Sequence, residues 1–253
     1  SYDDCQRIVK NLLSENPFGR RIISLNSINW LRVMGQVSYY VWLTKQFTAP
    51  INVAIPSGNF GNAYSAWFGR EHGLPINEIL CSTNVNDVLR RFIDGGVLEP
   101  LVTQPSVAPS MDIQIPSSLE RLIFDVSSEA KSFYDQLQIN SKTQLDEKSV
   151  GGLKNVFSSV SFSDEMITNL ITSLHHEFAI IFDPHSVTSV QMALDNDSTI
   201  PTVAVATASP EKFGNVISPL INDFTESKIE EKEKYLTLST ENNEIIEAIK
   251  GFI

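Results

Sequence analysis

The sequence predicts an α/β fold built on an open, mostly parallel sheet that is flanked by helices. Strand-like apolar runs alternate with helical patterns at 51–55, 63–72, 78–83 and 88–93. Strands and helices that alternate at this spacing form βαβ units, in which the strands run parallel. Apolar runs at 177–182 and 201–206 predict further core strands.

A polar, glycine-bearing turn joins the first predicted strand to its helix and predicts an anion site. The first N–H groups of a helix lack acceptors within the helix, and the helix dipole favours negative charge there. Gly58 and Gly61 allow a phosphate to approach the backbone closely. The side-chain donors of the turn are Ser57, Asn59 and Asn62. The spacing matches neither a dinucleotide-binding fingerprint nor a Walker loop, so an ordinary strand-to-helix turn with an Asn cap is the alternative.

The composition limits the classes of partner. The chain has 253 residues, a formal net charge of −11 and 42% hydrophobic residues, which suits a globular protein with a substantial core. The negative charge argues against non-specific binding to nucleic acid and against binding to an anionic membrane surface. A small anionic ligand is still allowed, because it responds to a local pocket and not to the total charge.

The cysteines and histidines predict neither a disulfide scaffold nor a metal site. Cys5 and Cys81 are far apart, and the four histidines show no zinc-binding spacing. The sequence also shows no apolar run of membrane-spanning length and no basic-then-apolar signal at its start. Together these observations favour a cytoplasmic protein.

Polar residues precede and begin a predicted helix at about 30–47. Apolar residues cover much of the circumference of this helix, so we expect it to be deeply buried. Ser27 and Asn29 fit either an N-cap or a ligand site. Arg32 lies in the first turn, and a buried guanidinium requires an anionic partner. The cluster is therefore a candidate site for an anionic ligand.

The remaining segments predict mostly helices. Apolar residues with helical spacing begin almost at the first residue, and a short strand follows at 21–25. The polar stretch from about 117 to 176 predicts a mainly helical region that faces solvent, and 221–253 predicts an acidic helical tail.

Seven short motifs resemble those of threonine synthases of the microbial and fungal type, and they follow the order of that family. They are D-D-C-Q at 3–6, N-S-I-N-x-x-R at 26–32, P-S-G-N-F-G-N at 56–62, T-N-V-N-D-V at 83–88, P-S-M-D-I at 109–113, D-P-H at 183–185 and T-A-S-P-E-K-F at 207–213. Threonine synthases are pyridoxal 5'-phosphate (PLP) enzymes of fold type II, the tryptophan-synthase-β-like fold. The resemblance implies that fold and that cofactor.

The resemblance also implies roles for individual residues. The residues that would cradle the cofactor phosphate are Ser57, Gly58, Asn59, Phe60, Gly61 and Asn62. Thr207 resembles the partner of the pyridine nitrogen, and a neutral hydroxyl there keeps that nitrogen unprotonated. Ser27, Asn29 and Arg32 resemble the site for the phosphate of O-phosphohomoserine, the small-molecule substrate. The family reaction converts this substrate and water into threonine and phosphate.

The sequence departs from the family pattern at two places. The family's Schiff-base lysine lies in a Phe-Lys-Asp stretch before the D-D-C-Q motif, and this chain contains no such stretch. Ser209 stands where the family usually has histidine. We therefore expect a C-terminal part of a threonine synthase, incomplete at its N-terminus, without a catalytic residue of its own and inactive alone. Residues 1–48 would belong to the smaller substrate subdomain, and 49–253 would form the large PLP-phosphate-binding domain with a helical insertion at about 117–176.

Two other functions are left open. One is a naturally lysine-less relative that binds a phosphorylated ligand without catalysis. The other is a different fold type II enzyme, such as a serine/threonine dehydratase, although the motifs at 26–32 and 109–113 argue against it. The sequence predicts no particular oligomeric state.

Overall fold

The computed structural model describes residues 2–24, 29–222, 224–225, 237–239 and 241–251. The chain forms two compact units. One comprises Ser1–Leu25 with Ser227–Ile253, and the other comprises Asn26–Glu226. The domain boundary at residue 48 that the sequence predicts stays a prediction.

Helices and strands alternate through the larger unit. The helices of the chain are α1 (Tyr2–Glu15), α2 (Trp30–Thr44), α3 (Gly61–Glu71), α4 (Val88–Gly95), α5 (Leu119–Val126), α6 (Ala130–Asn140), α7 (Glu147–Lys154), α8 (Asp164–Phe178), α9 (Ser186–Leu194), α10 (Gly214–Ile217) and α11 (Asn242–Lys250). The strands are β1 (Ile51–Pro56), β2 (Ile76–Thr83), β3 (Val97–Leu98), β4 (Thr143–Gln144), β5 (Phe157–Ser161) and β6 (Thr202–Ala204). Short 3-10 helices form at Pro109–Met111 and Pro210–Phe213.

A four-stranded parallel sheet forms the centre of the larger unit, in the order β5-β2-β1-β6. Ala54 of β1 pairs with Leu80 of β2 and with Ala204 of β6, so the carboxyl ends of these strands share one edge of the sheet. Every residue of β1 is buried, and α3 and α9 pack against this central strand. The predicted α/β fold with a mostly parallel sheet is confirmed. A separate antiparallel pair joins β3 to β4.

The strand predicted at 177–182 is wrong. Helix α8 continues through Phe178, and Ala179 ends it in the left-handed conformation, with φ of 55°. Residues 180–182 are irregular. The apolar run consists of the last turn of an amphipathic helix and the apolar residues that follow it directly. Periodicity alone does not distinguish such a run from a strand. The short strand predicted at 21–25 is also wrong for residues 21–24, which are irregular.

The fourth strand of the sheet is β5, which lies inside the region predicted to be mainly helical. Its sequence, F-S-S-V-S, contains too few apolar residues to show an alternating pattern. Parallel pairing with β2 from Ile79 to Thr83 stabilises it. Tertiary contacts therefore stabilise a strand that the local sequence pattern does not predict.

Helix α2 is less buried than its sequence predicts. Val33 and Tyr40 are buried on one side, but the side chains of Leu31 and Trp42 are 75% and 65% exposed. Within the described residues α2 packs mainly on α3, and a single neighbouring helix covers only one face. The expectation of deep burial is therefore wrong, although the helix itself is confirmed.

The smaller unit contains α1 and α11. Helix α1 follows the helical spacing of apolar residues that the sequence shows near its start, with Ile8 buried. The predicted acidic helical tail is described at 241–251, where α11 forms, whereas most of 223–240 lies outside the described residues.

Candidate functional site

The turn between β1 and α3 has the backbone geometry of an anion site. Phe60, at the N-cap, is buried in the left-handed conformation, with φ of 64° and ψ of 5°. The first hydrogen bond within the helix joins N of Tyr64 to O of Phe60 at 2.9 Å. The amides of residues 61–63 consequently have no acceptor within the helix. Such amides beside a left-handed residue form a concavity that suits an anion.

Ser57 fastens the start of this turn to the sheet. Its side chain is buried, its Oγ donates to O of Ile55 at 3.1 Å, and its N donates to O of Ser82 at 2.8 Å. Burial raises the pKa of the neighbouring Cys81 thiol to about 12, although a hydrogen bond with Ser57 acts the other way, so this thiol stays neutral. The hydroxyl proton of Ser57 is thus directed towards the protein.

Gly58 is required by close packing. A Cβ at this position would lie 2.6 Å from the carbonyl oxygen of Ser110 and 2.9 Å from Cα of Met111. Both contacts are with backbone, which cannot rotate away as a side chain can. The segment Pro109–Met111 therefore presses on the turn, and this contact places two of the sequence motifs side by side.

Asn59 connects the turn to the segment before α5. Its Oδ1 accepts hydrogen bonds from N and Oγ of Ser117, at 2.7 and 2.9 Å, and its carbonyl accepts one from N of Ser118 at 3.2 Å. The hydroxyl of Ser118 is buried and has no partner among the described residues. It lies beside Gly61, where a Cβ would come within 3.4 Å of it. The site thus contains a buried donor that a bound anion would satisfy.

Asn62, in the first turn of α3, is held by two phenols of α2. The hydroxyls of Tyr39 and Tyr40 both donate to its Oδ1, each at 2.5 Å. Burial raises the pKa of Tyr39 to about 12, although its neighbours Tyr40 and Arg32 act in the opposite direction. Burial likewise raises the pKa of Tyr40 well above its ordinary value. Both phenols therefore remain neutral donors at physiological pH.

Thr207 lies at the same edge of the sheet as the turn. Ala204 pairs with Ala54, and N of Val205 donates to O of Ala54 at 2.9 Å. Ser57 lies three residues after Ala54, and Thr207 lies three residues after Ala204, so the two residues leave the sheet at the same level. Its N donates to Oγ of Ser186 at 3.0 Å, while its side chain is exposed. The fold thus brings Thr207, whose side chain is exposed, and the turn at 57–62 to one edge of the sheet.

Asp183 and His185 form a buried pair near these groups. Oδ1 of Asp183 lies 2.9 Å from Nδ1 of His185, and N of Ser110 donates to Nε2 of the same ring at 3.0 Å. The imidazole therefore carries its proton on Nδ1. Burial would raise the pKa of Asp183, but hydrogen bonds from His185 and Ser186 outweigh burial and hold it below its ordinary value. This pair positions the segment that presses on Gly58.

The predicted substrate residues are only partly placed. Ser27 lies outside the described residues. Asn29 is the N-cap of α2, and its Oδ1 accepts from N of Leu31 at 2.9 Å. Arg32 is exposed, so the expectation that burial forces it to find an anion is wrong. Arg32 precedes Tyr39 by seven residues, so the two lie on the same side of α2, and its charge acts to lower the pKa of Tyr39.

Sequence reasoning missed four contributors to the site: Tyr39, Tyr40, Ser117 and Ser118. The sequence contains weak signals for these residues. Residues seven and eight positions after Arg32 return to its side of a helix, and two adjacent serines precede α5.

Two classes of site are absent from the part of the chain that the structure describes. Its His, Cys, Asp and Glu residues form no cluster of three or more that could hold a metal ion. None of its helices combines the length and the apolar character needed to cross a membrane.

Comparison with known proteins finds threonine synthases among the similar sequences, although no family model matches the chain. Threonine synthase from Pseudomonas aeruginosa is 32% identical over 228 residues, which cover 86% of this chain and 49% of that protein. Threonine synthase from Saccharomyces cerevisiae is 29% identical over 260 residues, which cover 91% of this chain and 51% of that protein. The chain thus spans about half the length of these curated relatives.

The fold is shared with a solved structure. The crystal structure of PLP-bound threonine synthase from Brucella melitensis superimposes with a TM-score of 0.85 at 28% identity, covering 99% of this chain and 57% of that chain. The resemblance read from the seven motifs and the fold type II class that it implies are both confirmed.

Proposed function

We propose that this chain, a homologue of threonine synthases over most of its length, is part of a PLP-dependent threonine synthase. Such an enzyme is a lyase that converts O-phosphohomoserine and water into threonine and phosphate. One observation carries the proposal: the turn at 57–62 presents unsatisfied donors at the N-terminus of α3, in a chain similar to the threonine synthases.

The residues around the turn suit the cofactor phosphate. We expect the amides of residues 61–63, Nδ2 of Asn62 and the buried hydroxyl of Ser118 to donate to this phosphate, and donors at a helix N-terminus favour a dianionic group. Ser57, Gly58 and Asn59 fix the shape of the turn through the contacts described above.

The other end of the cofactor would face Thr207. Its hydroxyl is neutral, so it would donate one hydrogen bond to the pyridine nitrogen, which stays unprotonated. PLP, when bound, supplies an electron sink for the carbanions that the reaction requires. The residues of this chain bind the cofactor and orient it.

The substrate phosphate would bind beside α2. Arg32 is exposed and lies on the same side of α2 as Tyr39, and a guanidinium binds phosphate through paired N–H donors. We assign the same role to Asn29 and Ser27 by the resemblance alone. The substrate would then lie between α2 and the cofactor.

The activity belongs, in this proposal, to a longer protein. The family's lysine stretch is missing from these 253 residues, and the relatives are about twice as long as the matched region. The chain alone would hold PLP weakly and form no threonine. The boundary near residue 48, the helical insertion at 117–176 and the cytoplasmic location are parts of the same proposal.

The test is an assay of the gene product that contains this chain, supplied with PLP. We expect release of inorganic phosphate from O-phosphohomoserine with threonine as the other product, and no turnover by the 253-residue chain alone. Deamination of serine without phosphate release from O-phosphohomoserine would contradict the proposal and favour a dehydratase. PLP binding without turnover of either substrate would favour the lysine-less binding protein.

A further inference from the structure

One face of α2 is directed at the first turn of α3. Arg32, Gln36, Tyr39 and Tyr40 recur at the spacing of a single helical face. Oγ of Ser65, on α3, lies 3.3 Å from Oε1 of Gln36. The two phenols contact Asn62 as described above, so the polar groups of α2 converge on the start of α3.

The two phenols determine how the amide of Asn62 is oriented. An amide oxygen has two lone pairs, and Tyr39 and Tyr40 each donate to Oδ1. Both acceptor positions of Oδ1 are therefore used. The Nδ2 group points away from the phenols, and it makes no hydrogen bond to the described residues. The opposite orientation would turn the amide oxygen towards a bound anion, which would repel it.

The position of Asn62 gives this orientation a consequence. It is the second residue of α3, so its side chain lies beside the amides of residues 61–63, which have no acceptor within the helix. Tyr40 is fully buried and Tyr39 is partly buried, so neither hydroxyl exchanges freely with water. The amide is held in place before any ligand arrives, which lowers the entropic cost of binding.

We infer that Tyr39 and Tyr40 are positioning residues for the cofactor phosphate, because they hold Asn62 with its Nδ2 directed at that phosphate. The inference rests on the proposed function. It extends the phosphate site from the loop itself to α2, the helix that also carries Arg32. Loss of the two hydroxyls would leave the amide free to rotate and would weaken binding of the phosphate group specifically.

The experiment compares two probes, PLP and pyridoxal, which differ only in the phosphate. The dissociation constant of each probe is measured by equilibrium dialysis for the purified gene product that contains this chain. The same measurement is made for its Tyr39→Phe, Tyr40→Phe and double variants. We expect the wild type to prefer PLP and the double variant to lose about tenfold of that preference. Its affinity for pyridoxal should not change.

Two further variants separate positioning from general folding. Tyr64→Phe removes a hydroxyl from α3, the helix of Asn62, where it donates to Oδ2 of Asp125 at 2.7 Å, and it should keep the full preference. Asn62→Asp keeps an acceptor for both phenols but replaces the Nδ2 donor by a negative oxygen. It should keep the melting temperature and lose the preference.

The possible failures are distinct. An unchanged preference for PLP in the double variant would overturn the inference and leave the proposed function standing. Equal weakening of PLP and pyridoxal would also overturn it, since it would indicate a structural role. A wild type that does not prefer PLP would overturn the proposed function and this inference with it.

Discussion

Two loops follow neighbouring parallel strands at one edge of the sheet, and they use their polar residues in opposite ways. After β2, Nδ2 of Asn84 and Nδ2 of Asn86 both donate to Oδ1 of Asp112, at 2.6 and 3.0 Å. After β1, the turn leaves the amides of residues 61–63 and Nδ2 of Asn62 without acceptors in the described part of the chain. The first loop is a closed network, and the second is open to a ligand.

The comparison shows that position in the fold does not by itself identify a binding residue. Ligands of parallel α/β sheets bind at the carboxyl ends of strands, and by that rule Asn84 is as good a candidate as Asn62. Asn84 is fully buried, however, and its amide is already bonded to Asp112 and Ser106. The two loops differ in how many hydrogen-bond donors have no acceptor within the described residues.

The largest expected effect is on the closed network. Asn84→Ala removes the donors to Ser106 and Asp112 from a buried site, so it should lower the free energy of unfolding by about 3 kcal/mol. The measurement is urea unfolding followed by circular dichroism. Asn169→Ala, which replaces an exposed asparagine of α8 that makes no side-chain hydrogen bond to the described residues, is the control and should change stability by about 0.5 kcal/mol or less. A small effect at Asn84 would show that the network is not structural.

The contact between the turn and Pro109–Met111 should give the next largest effect. Gly58→Ala places a methyl group 2.6 Å from the carbonyl oxygen of Ser110, and relief of this overlap should cost about 2 kcal/mol of stability. Gly151→Ala is the matched control, because a Cβ there meets nothing within 4 Å and lies in a helix, where alanine is favoured. If both variants unfold at the same urea concentration, the close packing is not real.

Removal of the unsatisfied donor at Ser118 should weaken PLP binding without lowering stability. Ser118→Ala deletes a buried hydroxyl that has no partner among the described residues, so stability should stay constant or rise by about 1 kcal/mol. PLP affinity should nevertheless fall about fivefold, which equilibrium dialysis would measure. Asn84→Ala has the reverse pattern. A loss of stability without a loss of affinity would place Ser118 with the closed network.

The smallest effect concerns Asp183, whose neighbour His185 binds Ser110 between the two loops. Hydrogen bonds hold its folded-state pKa below the ordinary value of about 3.9. The ionised carboxylate therefore stabilises the fold at neutral pH, and this contribution is lost as pH falls through the folded-state pKa.

Asp183→Asn should consequently lower the free energy of unfolding by about 1 kcal/mol at pH 6, and the gap from the wild type should close in acid. Thermal unfolding between pH 6 and pH 2.5 measures this. A gap that widens in acid would mean that the carboxylate is not stabilised in the folded state.

Much of the fold could be predicted because its central elements have strong local signals. The β1–turn–α3 unit shows an apolar run, turn-forming residues and an amphipathic helix in sequence, so its type and position are confirmed. Strand β5 could not be predicted, because its five residues gain their conformation from pairing with β2 and not from their own pattern. The false strand at 177–182 is the converse case, in which a local apolar pattern is overruled by the end of α8.

The site was predictable in its backbone and less so in its side chains. The turn could be located because its glycine and asparagine residues stand between a predicted strand and a predicted helix. The bonds from Tyr39 and Tyr40 to Asn62 depend on how α2 packs across α3, which no spacing along the chain specifies. The exposure of Arg32 was missed for the same reason, since α2 has a close neighbour on only one side in the described residues.

The central claim is that the turn at the N-terminus of α3 binds the phosphate of PLP. The most direct measurement is a crystal structure of the protein that contains this chain with PLP bound. The account predicts phosphate oxygens within hydrogen-bond distance of the amides of residues 61–63 and of Nδ2 of Asn62. A phosphate bound elsewhere, with these donors still facing water, would contradict it.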